Sequence, residues 1–187
     1  MNVPNLLSFA RIFMVPIFIW CMIKGYAEWA LWIFVIAGVT DALDGYLAKK
    51  WDQVTELGGY LDPIADKLLL IAGFVVLAWS HMVPLWLTLL VITRDLVIVG
   101  GAIVYQILTG DLKIEPLWIS KLNTVAQIVL LGVVMAHSSY GWFVGVTDIM
   151  VWVVLLTTVS SGFAYIWSWT HRAEDRGVTT GFFGGQE

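Results

Sequence analysis

Six apolar stretches of about twenty residues govern what this chain can become. They cover approximately residues 5–23, 28–48, 57–80, 83–108, 117–136 and 146–169. Each is close to the ~20 residues an α-helix needs to cross the hydrocarbon core of a bilayer. A backbone in lipid must satisfy its own hydrogen bonds, which leaves helices and closed barrels. No stretch alternates with the period of two that a barrel strand requires, so helices are expected. Of the 187 residues, 59% are hydrophobic and 13% charged, and mean hydropathy is +0.84. Soluble domains use about 45–50% and about 25%, so the apolar excess exceeds what one soluble core could bury. The reading is an all-α integral membrane protein with six transmembrane helices in one domain over residues 1–170. Residues 171–187, with their Gly and Thr pairs, are read as a loose cytoplasmic tail.

The breaks between stretches have visible causes. They are Lys24-Gly25-Tyr26, Lys49-Lys50-Trp51-Asp52, the His81 to Pro84 turn, Gly110 to Pro116, and His137 to Gly141. With six spans, one side carries Arg11, Lys49, Lys50, Lys113, Lys121, Arg172 and Arg176, and the other only Lys24. Cytoplasmic loops carry the excess of Lys and Arg, so both termini are expected in the cytoplasm. The opening segment is read as a retained span, because Asn2 and Pro4 precede any positive charge. The lack of an Arg- and Ser-rich leader in this sequence suits a bacterial cytoplasmic membrane. A net charge of −4 without a basic block argues against nucleic acid as partner. The lone Cys21 excludes an internal disulfide framework and a thiolate-rich metal site.

Ionisable groups are costly at membrane depth unless used or paired. Here Asp41, Asp44, Asp62, Asp66, Lys67, Arg94, Asp95 and Asp148 lie in or at the rims of apolar stretches. Asp41 and Asp44 are three apart near the cytoplasmic end of the second stretch, and Asp62 and Asp66 four apart near the start of the third. Each pair therefore shares a helix face. The short connection makes the two helices antiparallel neighbours, and the four carboxylates are expected to converge. Unneutralised, they would repel and take up protons. An all-oxygen set of this kind selects hard cations, Mg²⁺ or Mn²⁺. Two such ions favour a diphosphate ligand. Gly45, Ala48 and Gly58 leave room beside the pairs. A proton relay or an ion pathway is the competing reading of the same carboxylates. Asp148, near an outer helix end, is read as merely solvated, and Lys67 as a neighbour that neutralises Asp66 or snorkels.

The run Asp41-x2-Asp44-Gly45-x2-Ala48-Lys49-x8-Gly58-x3-Asp62-x3-Asp66 resembles the signature of the CDP-alcohol phosphatidyltransferases, D-x2-D-G-x2-A-R-x8-G-x3-D-x3-D. Every spacing matches, and seven of eight fixed positions do. Lys49 replaces the usual Arg, which keeps charge and loses the bidentate fork. The resemblance extends from Asn2-Val3-Pro4-Asn5-Leu6-Leu7 and Arg11 to the sixth stretch. It implies six transmembrane helices, a homodimer, and a polar cavity open to the cytoplasm. It further implies two divalent cations on Asp41, Asp44, Asp62 and Asp66. CDP-diacylglycerol would lie against Asp41, Gly45, Ala48, Lys49 and Gly58, and Asp66 would be the base taking the acceptor's proton. No Ser or His is placed to form a covalent intermediate, so direct displacement of CMP is expected.

The acceptor is read from two further segments. Ile92-Thr93-Arg94-Asp95-Leu96-Val97 and Ile119-Ser120-Lys121-Leu122-Asn123-Thr124-Val125-Ala126-Gln127 resemble the cardiolipin-forming members of that family. Members that use glycerol 3-phosphate resemble the same regions but usually carry Arg-Glu and then a second Arg. An apolar run after Asp95 suits a singly charged phosphodiester over a phosphomonoester. The expected reaction is therefore transfer to phosphatidylglycerol, giving cardiolipin and CMP, with glycerol 3-phosphate as the runner-up acceptor. Arg94 and Lys121 are the candidates for gripping the acceptor phosphate, against a plain Arg94–Asp95 structural pair. From another class, a small cation or proton transporter would use the acidic cluster, but the sequence shows neither broken helices nor inverted repeats.

Overall fold

The computed structural model describes residues 3–51, 56–109 and 118–175, with side chains described over 10–40, 67–101 and 118–168. Among the described residues all regular structure is helical: α1 (Val3–Ile23), α2 (Ala27–Trp51), α3 (Glu56–Trp79), α4 (Leu85–Thr109), α5 (Trp118–Tyr140) and α6 (Val146–Asp175). The helices match the six apolar stretches, with three main differences at their ends. His137–Tyr140, read as a loop, completes α5, α6 continues past 169 to Asp175, and α2 runs to Trp51 through Lys49-Lys50-Trp51, read as a break. The first difference has a local cause. The Ser139 hydroxyl donates to the Met135 carbonyl at 2.8 Å, and Gly141, with φ +68°, donates its N–H to the His137 carbonyl at 2.9 Å. The helix thus ends where a residue able to adopt a left-handed conformation closes the final turn.

Two other helix ends use a tighter cap. After α1, Gly25 (φ +79°) donates to the Met22 carbonyl at 3.1 Å, and Tyr26 to the Cys21 carbonyl at 2.8 Å. After α3, His81 (φ +57°) and Met82 repeat the pattern onto Ala78 and Leu77 at 3.1 and 2.9 Å. Both are Schellman motifs, one with the residue that favours the geometry and one with a residue that resists it.

The helices fall into two compact units. The first joins Met1–Thr88 to Gln127–Val151. Within it α1 packs on α2 and α3, and α2 also meets α3. The buried seam of α2 is Ala27, Ala30, Phe34 and Ala37, alternate steps of three and four that keep one stripe inward. Its alanines let the α1 backbone approach, and Phe34 meets Phe18 at a ring-centroid distance of 6.2 Å. Gly73 of α3 lies so close to Leu131 that an added Cβ would stand 2.9 Å from Leu131 Cδ1. The second unit joins Leu89–Ala126 to Trp152–Glu187.

Several polar side chains are buried, and among the described residues the tryptophans are exposed. Arg11 is 1% exposed and Asn123 0%, with Gln127, Thr158 and Ser161 also buried, whereas Trp118 is 79% exposed and Trp79 81%. In water this distribution would place the hydrophobic effect against the fold. In lipid it is the expected one, because tails cover the aromatic faces and only the interior offers hydrogen bonds. Among the described residues α5 and the Val146–Ser168 part of α6 are each long and apolar enough to cross a membrane, with mean hydropathies of 1.7 and 1.9. The chain is a membrane-associated helical protein.

Candidate functional site

The eight-position motif runs from the last part of α2 into the first part of α3, both in the first unit. Asp41 and Asp44 are therefore on one helix and Asp62 and Asp66 on the next, as expected. The side chains of Asp41, Asp44, Gly45, Ala48, Lys49, Gly58, Asp62 and Asp66 lie outside the described residues. Among the described residues no group of three or more His, Cys, Asp or Glu is placed to hold a metal ion. What the chain offers is the chemistry of the donor set: four carboxylates at helical spacing, without thiol or imidazole, which fits hard divalent cations. Lys67, the next residue along α3, is half-buried, and Asp148, in the first turn of α6, is exposed. An exposed carboxylate there suits the positive end of the helix dipole and needs no functional explanation.

The acceptor candidates are described in full, and both belong to the second unit. Arg94 of α4 is 8% exposed. Its Nη1 donates to Asp95 Oδ1 at 2.8 Å, and its Nη2 donates to Ser120 Oγ of α5 at 2.8 Å and to Ser161 Oγ of α6. The guanidinium also lies over the Tyr165 ring, 5.9 Å from its centroid. Both readings of this arginine have a physical basis here. The ion pair with Asp95 exists. Three of the five guanidinium N–H groups are used, and the buried Nε has no partner. Gly162 lies beside the arginine stem, where an added Cβ would stand at an ordinary contact distance of 3.7 Å from Arg94 Cγ.

Lys121 is elsewhere. It is exposed, and its Nζ stands 4.9 Å above the Trp118 ring. A step of one residue on a helix turns the side chain by about 100°, so Ser120 and Lys121 cannot share a face. The structure therefore joins Arg94 to Ser120 and Ser161 and does not bring Lys121 to it.

A second polar rung, not singled out from the sequence, lies one turn further along α5. Asn123 accepts from the hydroxyls of Thr157 and Thr158 of α6, each at 2.9 Å from Oδ1. The signal was present in the pattern of α6: Val151, Val154, Thr158, Ser161 and Tyr165 form a buried seam in steps of three and four. Two hydroxyl residues in the middle of an inward stripe mark polar partners across the interface.

The chain thus offers paired aspartates on two consecutive helices and, in the second unit, a buried arginine among hydroxyls. The family model for CDP-alcohol phosphatidyltransferases matches residues 1–160, and the chain belongs to that family. It is 42% identical over 109 residues to a protein named cardiolipin synthase (CMP-forming) from Streptomyces coelicolor, covering 54% of this chain and 51% of that one. The human protein of the same name is 29% identical over 181 residues, covering 88% of this chain and 60% of that one. The CDP-diacylglycerol–glycerol-3-phosphate 3-phosphatidyltransferase of Bacillus subtilis is 31% identical over 182 residues, covering 88% of this chain and 93% of that one. The chain thus spans about half to three-fifths of the two cardiolipin synthases.

Proposed function

We propose that this chain transfers the phosphatidyl group of CDP-diacylglycerol to glycerol 3-phosphate and releases CMP. The observation that supports this acceptor is the extent of the likeness. Two bacterial proteins named for glycerol 3-phosphate are matched over 93% and 91% of their length, at 31% and 32% identity. Transfer to phosphatidylglycerol, giving cardiolipin, is the second reading. It is favoured by the 42% identity to the Streptomyces protein and by an Arg94-Asp95 pair without a second arginine.

The chemistry assigns work to each residue. Asp41, Asp44, Asp62 and Asp66 would hold two divalent cations, Mg²⁺ or Mn²⁺, which supply charge neutralisation for the diphosphate of the donor lipid. Gly45, Ala48 and Gly58 leave space for the nucleotide, and Asp41 and Lys49 add polar contacts to it. Asp66 takes the proton of the acceptor hydroxyl as that oxygen attacks the phosphorus bearing the diacylglycerol. The bond to the CMP oxygen breaks, and CMP leaves. Arg94 binds the acceptor phosphate through the N–H groups its structural partners leave free. The reading includes a homodimer with six spans in a bacterial cytoplasmic membrane and the site facing the cytoplasm.

Purified protein with labelled CDP-diacylglycerol and Mg²⁺ or Mn²⁺, offered glycerol 3-phosphate and phosphatidylglycerol separately, tests the proposal. Phosphatidylglycerophosphate as the lipid product supports the first reading, and cardiolipin the second. Ion flux without CMP release would replace both with a transporter.

A further inference from the structure

Asn123 is 0% exposed, and its Nδ2 has no hydrogen-bond partner. Leaving a buried N–H unpaired is costly, so such a group calls for an explanation. Its orientation is fixed by its neighbours. Thr157 has alternative acceptors in the Val153 and Val154 carbonyls at 2.9 and 3.2 Å. Thr158 has none among the described residues beyond Asn123, so the atom facing it must be the carbonyl oxygen. The two amide N–H groups therefore point away from α6's threonines, as pure donors.

The same unit holds a second donor of this kind. Arg94 Nε is buried and unpartnered, and the guanidinium is fixed by Asp95, Ser120 and Ser161. Ser120 and Asn123 are three residues apart on one face of α5, and Ser161 lies three and four residues beyond Thr158 and Thr157 on α6. The arginine rung and the amide rung are thus stacked about one turn, ~5 Å, apart. One offers a charge and the other a neutral donor. A glycerol phosphate ester has the matching pair of groups, an anion at one end and free hydroxyls at the other.

We propose that Asn123 is the acceptor-discriminating residue of this enzyme, donating to a glycerol hydroxyl of a phosphate ester whose anion is held at the Arg94 rung. This rests on the reading of the chain as a transferase with a glycerol phosphate acceptor. It also replaces Lys121 with Asn123 as the second group on the arginine side of α5.

The test uses the full chain in detergent and measures binding, so it does not depend on turnover. Glycerol 3-phosphate is compared with n-propyl phosphate, which lacks the hydroxyls, and phosphatidylglycerol in mixed micelles with phosphatidylpropanol. The wild type is expected to prefer the hydroxyl-bearing member of one pair by about tenfold. The pair that shows the preference identifies whether the ester is soluble or lipid-borne. In Asn123→Leu and Asn123→Asp the preference collapses, while binding of the hydroxyl-free analogue to Asn123→Leu is unchanged. Asn123→Asp keeps the oxygen that Thr157 and Thr158 need, so it serves if the leucine variant does not fold. A wild type without preference in either pair overturns the proposal. So does a preference that survives both substitutions, or an equal loss for both members of a pair, as a purely structural or water-bound amide would give. Absence of CMP release by a wild type that still shows the preference would count against the transferase reading alone.

Discussion

Removing the Arg94 guanidinium and removing its Asp95 partner should not be independent: losing both should cost less than the two single losses added together. The Arg94 and Asp95 side chains are 7% and 11% exposed, and the contact is 2.8 Å. With charge centres about 4 Å apart and an effective dielectric constant of ~20, their attraction is about 4 kcal/mol. Each ion has given up hydration worth several kcal/mol on burial. Arg94→Met leaves Asp95 without that attraction and without water, at an expected cost of about 3–5 kcal/mol. Asp95→Leu leaves the arginine with only its serines, at a similar cost. The double variant Arg94→Met/Asp95→Leu removes both charges, and Ser120 and Ser161 can turn to carbonyls of their own helices. Its cost should fall well short of the sum, by about 2 kcal/mol or more. Thermal unfolding in one detergent, followed by helical circular dichroism, reads the cycle. For a chain of this size the single variants should melt about 10 °C lower. Additivity within about 0.5 kcal/mol would refute the reasoning, because the two charges would then not be coupled.

Other outcomes follow from the caps and from the motif. Gly25→Ala should lower stability by about 1 kcal/mol, since the Cβ meets nothing within 4 Å and only the positive φ opposes it. His81→Gly should raise stability by up to about 1 kcal/mol in the same melting assay, because the residue in that cap has φ +57°. Asp66→Asn should abolish CMP release while gel filtration and melting stay as in the wild type; near-normal turnover would remove Asp66 from the role of base. Chelation with EDTA should stop CMP release, and Mg²⁺ or Mn²⁺ should restore it, if the four aspartates hold the ions.

The helices were legible because each carries an apolar run of about twenty residues interrupted by few ionisable groups, and the family because its motif fixes both residue type and spacing over residues 41–66. The ends were less so. His137-Ser138-Ser139-Tyr140 looks polar enough for a loop, yet serine can return its hydroxyl to a carbonyl one turn back and remain helical. The pairing of Arg94 with Lys121 drew on charge alone. Charge says nothing about azimuth, and on α5 the inward positions are Ser120 and Asn123, whose uncharged side chains attract little notice in a sequence. The acceptor was hardest to read, because Arg94 serves a structural pair and still has donors to spare.

The interlocking hydroxyls of α6 have a mechanical corollary. Ser161 and Thr158 engage partners on α4 and α5, and a shift of one residue would carry Gly162 and Val159 toward the polar rungs in their place. Within this unit the hydroxyls of α6 therefore set the register of the helix as well as its facing, a constraint that apolar side chains alone would leave loose.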